Sequence, residues 1–183
     1  MSPFDQQAVP PSPKPSGQCL EVANLRDGGV YVRVVGLGDQ HLAVPAEEFV
    51  ESAAAGGRVR CALDLSACTG LDSTFMGTIV LLAGALEEAG GRLCLLNVSE
   101  ANEKLLAMLG VNEFVVIRDQ TPMEPIETMR LTPVADNRLR LRQIVDAHRS
   151  LVAIDERNAE RFGHFLDAMA EELAVRTAPE RLP

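Results

Sequence analysis

Short aliphatic runs alternate with stretches of helical periodicity from residue 19 to about residue 118, and most of them stop at glycine. This alternation constrains the fold more than any other feature. Strand–helix units in series bury their apolar surfaces by laying helices on a largely parallel or mixed sheet. The β-branched run Val30-Tyr31-Val32-Arg33-Val34-Val35 reads as a strand ending at Gly36, after a weaker strand over 19–23 and an Asp27-Gly28-Gly29 turn. Residues 60–65 and 93–96 form the third and fourth strands, and their near-continuous apolar character suits inner strands covered on both faces. A last strand is expected over 114–117.

Between the strands lie three predicted helices. The first spans 44–55, with Pro45 tolerated in its opening turn and Gly56-Gly57 ending it. The second runs from Asp72 or Ser73 as cap to Ala89, and Gly90-Gly91 closes it. Its apolar stripe is Met76, Ile79, Val80, Ala83 and Leu86, the spacing of one core-facing side. The third is capped by Ser99, reaches Leu109 and stops at Gly110.

Around this unit the composition changes. Pro3, Pro10, Pro11, Pro13 and Pro15 make residues 1–18 an expected disordered tail, with no apolar run of signal-peptide type. Pro122, Pro125 and Pro133 make 119–135 an expected linker. Beyond it, Leu141, Ile144, Val145, His148, Leu151 and Val152 share one helical face, and Phe162, Phe165, Leu166, Met169 and Leu173 repeat the spacing. With Asp155 as a cap between them, residues 136–176 read as an antiparallel helical hairpin, and 177–183 as a second tail. Such a hairpin carries an apolar stripe without a full core. It has to cover the α/β domain, a second copy in a homodimer, or a partner.

Charge and cysteine usage exclude several function classes. The net charge is −9, concentrated in residues 19–133 with 16 acidic against 8 basic side chains, so a phosphate backbone is repelled and nucleic acid is not an expected partner. No segment approaches the roughly 18 apolar residues of a membrane span. Four dispersed cysteines read as reduced thiols of a cytoplasmic protein. Catalysis needs a nucleophile with a base, or a metal cluster. His41, His148 and His164 stand far apart in sequence, without paired cysteines, so neither a metal nor a cofactor is expected and the chain does not read as an enzyme. His148 and His164 read as packed or solvated imidazoles, and Cys61 and Cys94 as small core hydrophobes. Cys68, in the stretch before Asp72, is the one thiol an enzyme or ligand-carrier reading could use.

The most informative stretch is Asp64-Leu65-Ser66-Ala67-Cys68-Thr69-Gly70-Leu71-Asp72-Ser73-Thr74-Phe75-Met76-Gly77. It resembles the signature of STAS domains of the anti-sigma factor antagonist type: a strand ending in Asp-x-Ser, then Asp-Ser-(Ser/Thr)-Gly-Leu-Gly at a helix start. Asp64, Ser66, Asp72, Ser73, Thr74 and Gly77 match, and Met76 replaces a leucine. Gly36-Leu37-Gly38-Asp39 resembles a second family element, Gly-Glu-Leu-Asp, and the match covers roughly residues 20–118. The resemblance implies a STAS-like α/β domain over 19–118. It also implies a phosphorylation-switched anti-sigma factor antagonist that binds a kinase of histidine-kinase-like ATPase fold while Ser73 is unmodified. Ser73 is then the phosphoacceptor, with Thr74 as runner-up, and Asp39, Asp72, Ser73, Thr74, Phe75 and Met76 form the partner-binding surface. Phe75 departs from the pattern, standing where the family has glycine. It is either an anchor for a partner pocket or a core residue. A STAS scaffold without a phospho-switch is the alternative.

Overall fold

The computed structural model describes residues 17–119, 128–133 and 136–177, with the side chains of 173–177 left out. The elements are β1 (Cys19–Asn24), β2 (Val30–Gly38), α1 (Gln40–Ala55), β3 (Arg60–Asp64), β4 (Cys68–Leu71), α2 (Ser73–Glu88), β5 (Arg92–Leu96), α3 (Glu100–Met108), β6 (Val116–Arg118), β7 (Met129–Leu131), α4 (Asn137–Ile154) and α5 (Arg157–Thr177). The strand order is β6-β5-β3-β2-β1-β7, with β4 pairing to β2 off this path. The strands β2, β3, β5 and β6 run parallel, while β1 is antiparallel to both β2 and β7. The expected mixed, mostly parallel α/β sheet with a C-terminal helical pair is therefore the observed fold.

The core is aliphatic, as a chain without tryptophan requires. Leu20, Val32, Val34, Leu63 and Leu95 of the sheet interleave with Leu42, Ala46 and Val50 of α1 and with Phe75, Ile79 and Leu86 of α2. One helix and one strand start elsewhere than the periodicity implies. The Asp39 side chain accepts from the His41 N–H, so α1 begins at Gln40 rather than Val44 and Pro45 lies inside it. The last parallel strand is Val116–Arg118, because Val111–Glu113 close a 3₁₀ turn after the left-handed Gly110 and Phe114 caps it.

Two strands lie where the sequence pattern names none. The strand expected to end at Gly36 instead continues past a register shift to Gly38 and pairs in parallel with β4, in the stretch before Asp72. Gly36 permits that irregularity through its φ of +85°. Part of the expected linker is also a strand, since Leu131, Arg130 and Met129 pair with Leu20, Glu21 and Val22. The expected tails 1–18 and 177–183 lie largely outside the described residues, as do 120–127 and 134–135 of the linker.

The hairpin does not stand apart. Its α4 face of Leu141, Val145, Ala147, His148 and Leu151 is buried. The closest approach is at Gly77 of α2, where a Cβ would lie 2.1 Å from the Ala147 carbonyl oxygen. Only glycine admits the α4 backbone there. Ser150 Oγ donates toward the Gly77 carbonyl at 2.8 Å, and Gln143 Nε2 donates to Thr78 Oγ1 at 3.0 Å. At the far end Asn158 Nδ2 donates to the carbonyls of Leu109 and Leu151, tying the α4–α5 corner to the end of α3. The apolar stripe of α4 is thus used within the chain, against α2.

Phe75 is completely buried among sheet residues. Truncating a fully packed phenylalanine removes its transfer free energy and leaves a cavity. Phe75→Ala is expected to cost about 3–5 kcal/mol of unfolding free energy, read from the denaturant midpoint at unchanged slope.

Candidate functional site

The N-termini of α1 and α2 meet at one carboxylate. Asp72 caps α2 through Oδ1, which accepts from the Phe75 N–H at 2.7 Å, while its Oδ2 accepts from the Gln40 N–H at 3.1 Å. The Asp72 N–H in turn donates to the Gly38 carbonyl at 2.9 Å, holding the α2 entry against the end of β2. Gly38 has no room for a side chain, since a Cβ would lie 2.8 Å from Leu71 and 3.1 Å from Phe75. Asp39 and Asp72 therefore cap neighbouring helices side by side. Burial pushes the Asp72 carboxyl up and Asp39 adds to the rise, against the two N–H groups and His148, which favour the anion.

Ser73 is the first residue of α2, and its hydroxyl is not free. Ser73 Oγ lies 2.9 Å from His148 Nε2, a contact that joins residues 75 positions apart. The other ring nitrogen, Nδ1, lies 2.8 Å from the Ile144 carbonyl oxygen, which can only accept. Nδ1 therefore carries the proton, Nε2 is an acceptor in the neutral ring, and the Ser73 O–H donates to it. The imidazole is 4% exposed and packs against the rings of Phe162 and Phe165 at centroid distances of 4.8 and 4.7 Å. Burial holds the His148 pKa below the ordinary imidazole value, with the Ile144 carbonyl and Asp72 pulling the other way.

Of the six residues expected to meet a partner, only three lie toward the surface. Asp39, Asp72 and Ser73 are half-buried. Thr74, Phe75 and Met76 are buried, at 5%, 0% and 3% exposure. Phe75 packs beside Gly38 at the end of β2, which draws this turn into the domain. The reading of Phe75 as a partner anchor is thereby corrected: it is core, and it fills the space beside Gly38. Thr74 is withdrawn as a rival acceptor for the same reason, as its hydroxyl is not presented at the surface. Sequence reasoning placed His148 among packed or solvated imidazoles and missed its contact with Ser73. The signal available was His148 on the apolar stripe of a helix, which says that it is buried but not against what.

The Asp-x-Ser element has a structural task. Asp64 Oδ1 accepts from Asn97 Nδ2 at 3.0 Å and from the Ser66 N–H at 2.9 Å, and Oδ2 accepts from the Tyr31 hydroxyl. Burial alone would raise this carboxyl, but the hydrogen bonds from Tyr31, Asn97 and Ser66 outweigh it and hold the pKa below its ordinary value. The cysteines offer no nucleophile. Cys68 lies in β4 rather than in an open loop, is 9% exposed, and burial raises its pKa. Burial pushes the Cys61 thiol up to about 12. Among the described residues no group of His, Cys, Asp and Glu has the arrangement to hold a metal ion, and no helix is long and apolar enough to cross a membrane.

A strand that ends at Asp64, followed by Ser66 and then by a helix that opens on Asp72-Ser73, is the order expected of a STAS domain. The sequence model of the STAS domain matches residues 23–125, and the chain belongs to that family. The fold is shared with solved anti-sigma factor antagonists. One is a Thermotoga maritima protein described as an anti-sigma factor antagonist, 22% identical, covering 54% of this chain and 85% of its own at a TM-score of 0.50. Another is the antagonist SpoIIAA of Bacillus in its unphosphorylated form, 21% identical, covering 56% of this chain and 89% of its own at a TM-score of 0.51. Comparison with curated protein sequences finds no match. The family match ends before α4 and α5, so the hairpin that touches Ser73 is an addition to the matched domain.

Two groups near this site titrate in opposite senses. Burial, with Glu51, Asp146 of α4 and Glu48, pushes Glu47 up to about 7. The folded chain therefore holds a proton that the unfolded chain has released, and Glu47 favours folding less as pH rises toward 7. His148 is depressed, so the unfolded chain binds a proton first as pH falls below about 6.5 and stability declines with acidification. In Glu47→Gln the step from pH 7.5 to about 5.5 is expected to lower the melting temperature, and in His148→Gln to raise it, as measured by thermal denaturation.

Proposed function

We propose that this chain is an anti-sigma factor antagonist, a binding module that performs no chemistry itself. Its partner is an anti-sigma factor with a histidine-kinase-like ATPase fold, and Ser73 is the phosphoacceptor. The observation that carries the reading is the place of Ser73: the first residue of α2, directly after the Asp72 cap, inside the span matched by the family and at the junction of two helix N-termini. Likeness to proteins described as anti-sigma factor antagonists supports the same assignment.

The physics of such a switch is simple. A phosphoryl group adds about 1.5–2 negative charges and three acceptor oxygens. Within the domain the helix N-terminus tolerates that charge. A partner surface shaped for a neutral hydroxyl beside the Asp72 carboxylate does not, because desolvation would press like charges together. A coupling of about 1–3 kcal/mol changes affinity by one to two decades, enough to exchange partners. The absence of a reactive thiol at Cys68 leaves the enzyme reading without its nucleophile.

A scaffold role has one observation in its favour, the half-buried state of Ser73 under His148. The two readings separate in a co-purification of the native chain followed by phosphosite mapping. The switch predicts phosphate at Ser73, none in Ser73→Ala, and about a 10- to 100-fold weaker partner affinity for Ser73→Asp. Phosphate at another residue, or affinity indifferent to both substitutions, assigns the chain to a scaffold instead.

A further inference from the structure

The surface that presents Ser73 is already occupied, and by this chain. Along α2, Ser73, Gly77 and Thr78 each make a specific contact with α4: Ser73 with His148, Gly77 with Ala147 and Ser150, Thr78 with Gln143. We propose that the α4–α5 hairpin is an intramolecular cap on Ser73, latched by His148, and that it lifts as a unit before any kinase or partner reaches the hydroxyl. This rests on Ser73 being the group that a partner must reach.

Three features make the cap releasable, although Leu141, Val145 and Leu151 of α4 are buried and Leu151 packs in the same apolar cluster as Phe75 and Ile79. The first is its chemistry. Thr78, Gln143 and His148, all buried, together with Asn158 at the corner, lie in the contact between the hairpin and the domain. Each of these groups is satisfied by water when the surfaces part, so undocking costs far less than exposing the same area of aliphatic core. The sheet side of α2, by contrast, is Phe75, Ile79, Leu82 and Leu86, with nothing polar to accept water. A second feature is half-buried Glu47 of α1, whose ionisation is resisted by its burial and by the negative charges of Glu51, Asp146 of α4 and Glu48. Third, the hairpin follows the matched domain, whose sheet is completed by β7 before α4 begins.

Capping and phosphorylation exclude one another. With Oγ 2.9 Å from an imidazole that packs against Phe162 and Phe165, no phosphoryl group fits between hydroxyl and ring. A kinase therefore acts on the uncapped form only, and a modified Ser73 keeps the hairpin off. By linkage, whatever binds the freed hairpin raises the population of the uncapped form, and a modification that favours the uncapped form raises the affinity for that ligand.

The cap can be tested without any partner, so its failure is distinct from failure of the phosphoacceptor assignment. A thiol placed by Thr78→Cys in the full chain lies under Gln143, and Cys61 in β3 reports global unfolding in the same molecule. Maleimide labelling under native conditions, resolved by peptide mass spectrometry, compares the two rates. A releasable cap gives labelling at position 78 at least about tenfold faster than at Cys61. Adding Ala147→Arg at the Gly77 contact is expected to speed labelling at 78 further and leave Cys61 unchanged. Should Ala147→Arg unfold the whole chain, seen as faster labelling of Cys61, the milder pair Gln143→Ala with Ser150→Ala decides on the same criterion. Equal rates at 78 and Cys61 in the parent and in the milder pair make the hairpin one cooperative unit with the sheet, and overturn the proposal.

Discussion

The carboxylate of Asp72 is the joint on which this site is built. One oxygen fixes the first turn of α2, the other fixes the first turn of α1, and the residue's own N–H fixes both to the end of β2. A helix start leaves N–H groups without intrahelical partners, and here a single side chain serves two of these ends at once. Its position determines the rest. With α2 entering at that angle, Phe75 is driven into the core beside Gly38, Ser73 is left at the rim, and Gly77 one turn later is presented to α4. Replacing the usual glycine by Phe75 is compatible with the family's geometry because the side chain turns inward, away from Ser73.

Much of this was legible in the residues. Long β-branched or aliphatic runs and capped, glycine-terminated helices declare themselves through local chemistry, and Asp72-Ser73 is a local motif with a local cap. What escaped was short or relational. Cys68-Thr69-Gly70-Leu71 is four residues containing a glycine, and nothing in it says strand until the extension of β2 past Gly36 supplies a partner. Met129-Arg130-Leu131 has the same weakness and becomes β7 only because the outer edge of β1 is open to it. Position 44 looked like a helix start because the apolar periodicity begins there, whereas the cap at Asp39 is set by one side-chain bond.

The hairpin illustrates the other limit. An apolar stripe announces that something is covered, and the stripe of α4 is indeed buried. It does not say what lies beneath. The contact that decides the answer is made by Gly77 and Ala147, the residues with the least side chain and so the weakest hydropathic signal. Small residues let two helix backbones approach, and that approach brings His148 over Ser73. No periodicity within either helix encodes a hydrogen bond spanning 75 positions.

Placing an imidazole on the Ser73 hydroxyl changes what the serine is. Elsewhere on a helix N-terminus a serine hydroxyl is solvated and open to a phosphoryl donor. Here its proton is directed to Nε2 of a neutral ring whose other nitrogen is spent on the Ile144 carbonyl. A serine paired with a histidine resembles a nucleophile with its base, and the depressed pKa keeps that base unprotonated near neutrality. Yet a catalytic pair needs room for a substrate between nucleophile and oxyanion donors. The Phe75 N–H, in the first turn of α2, is committed to Asp72, and the ring is walled by Phe162 and Phe165. The same geometry that would activate Ser73 also closes it, which suits the pair to the latch proposed for the hairpin rather than to catalysis.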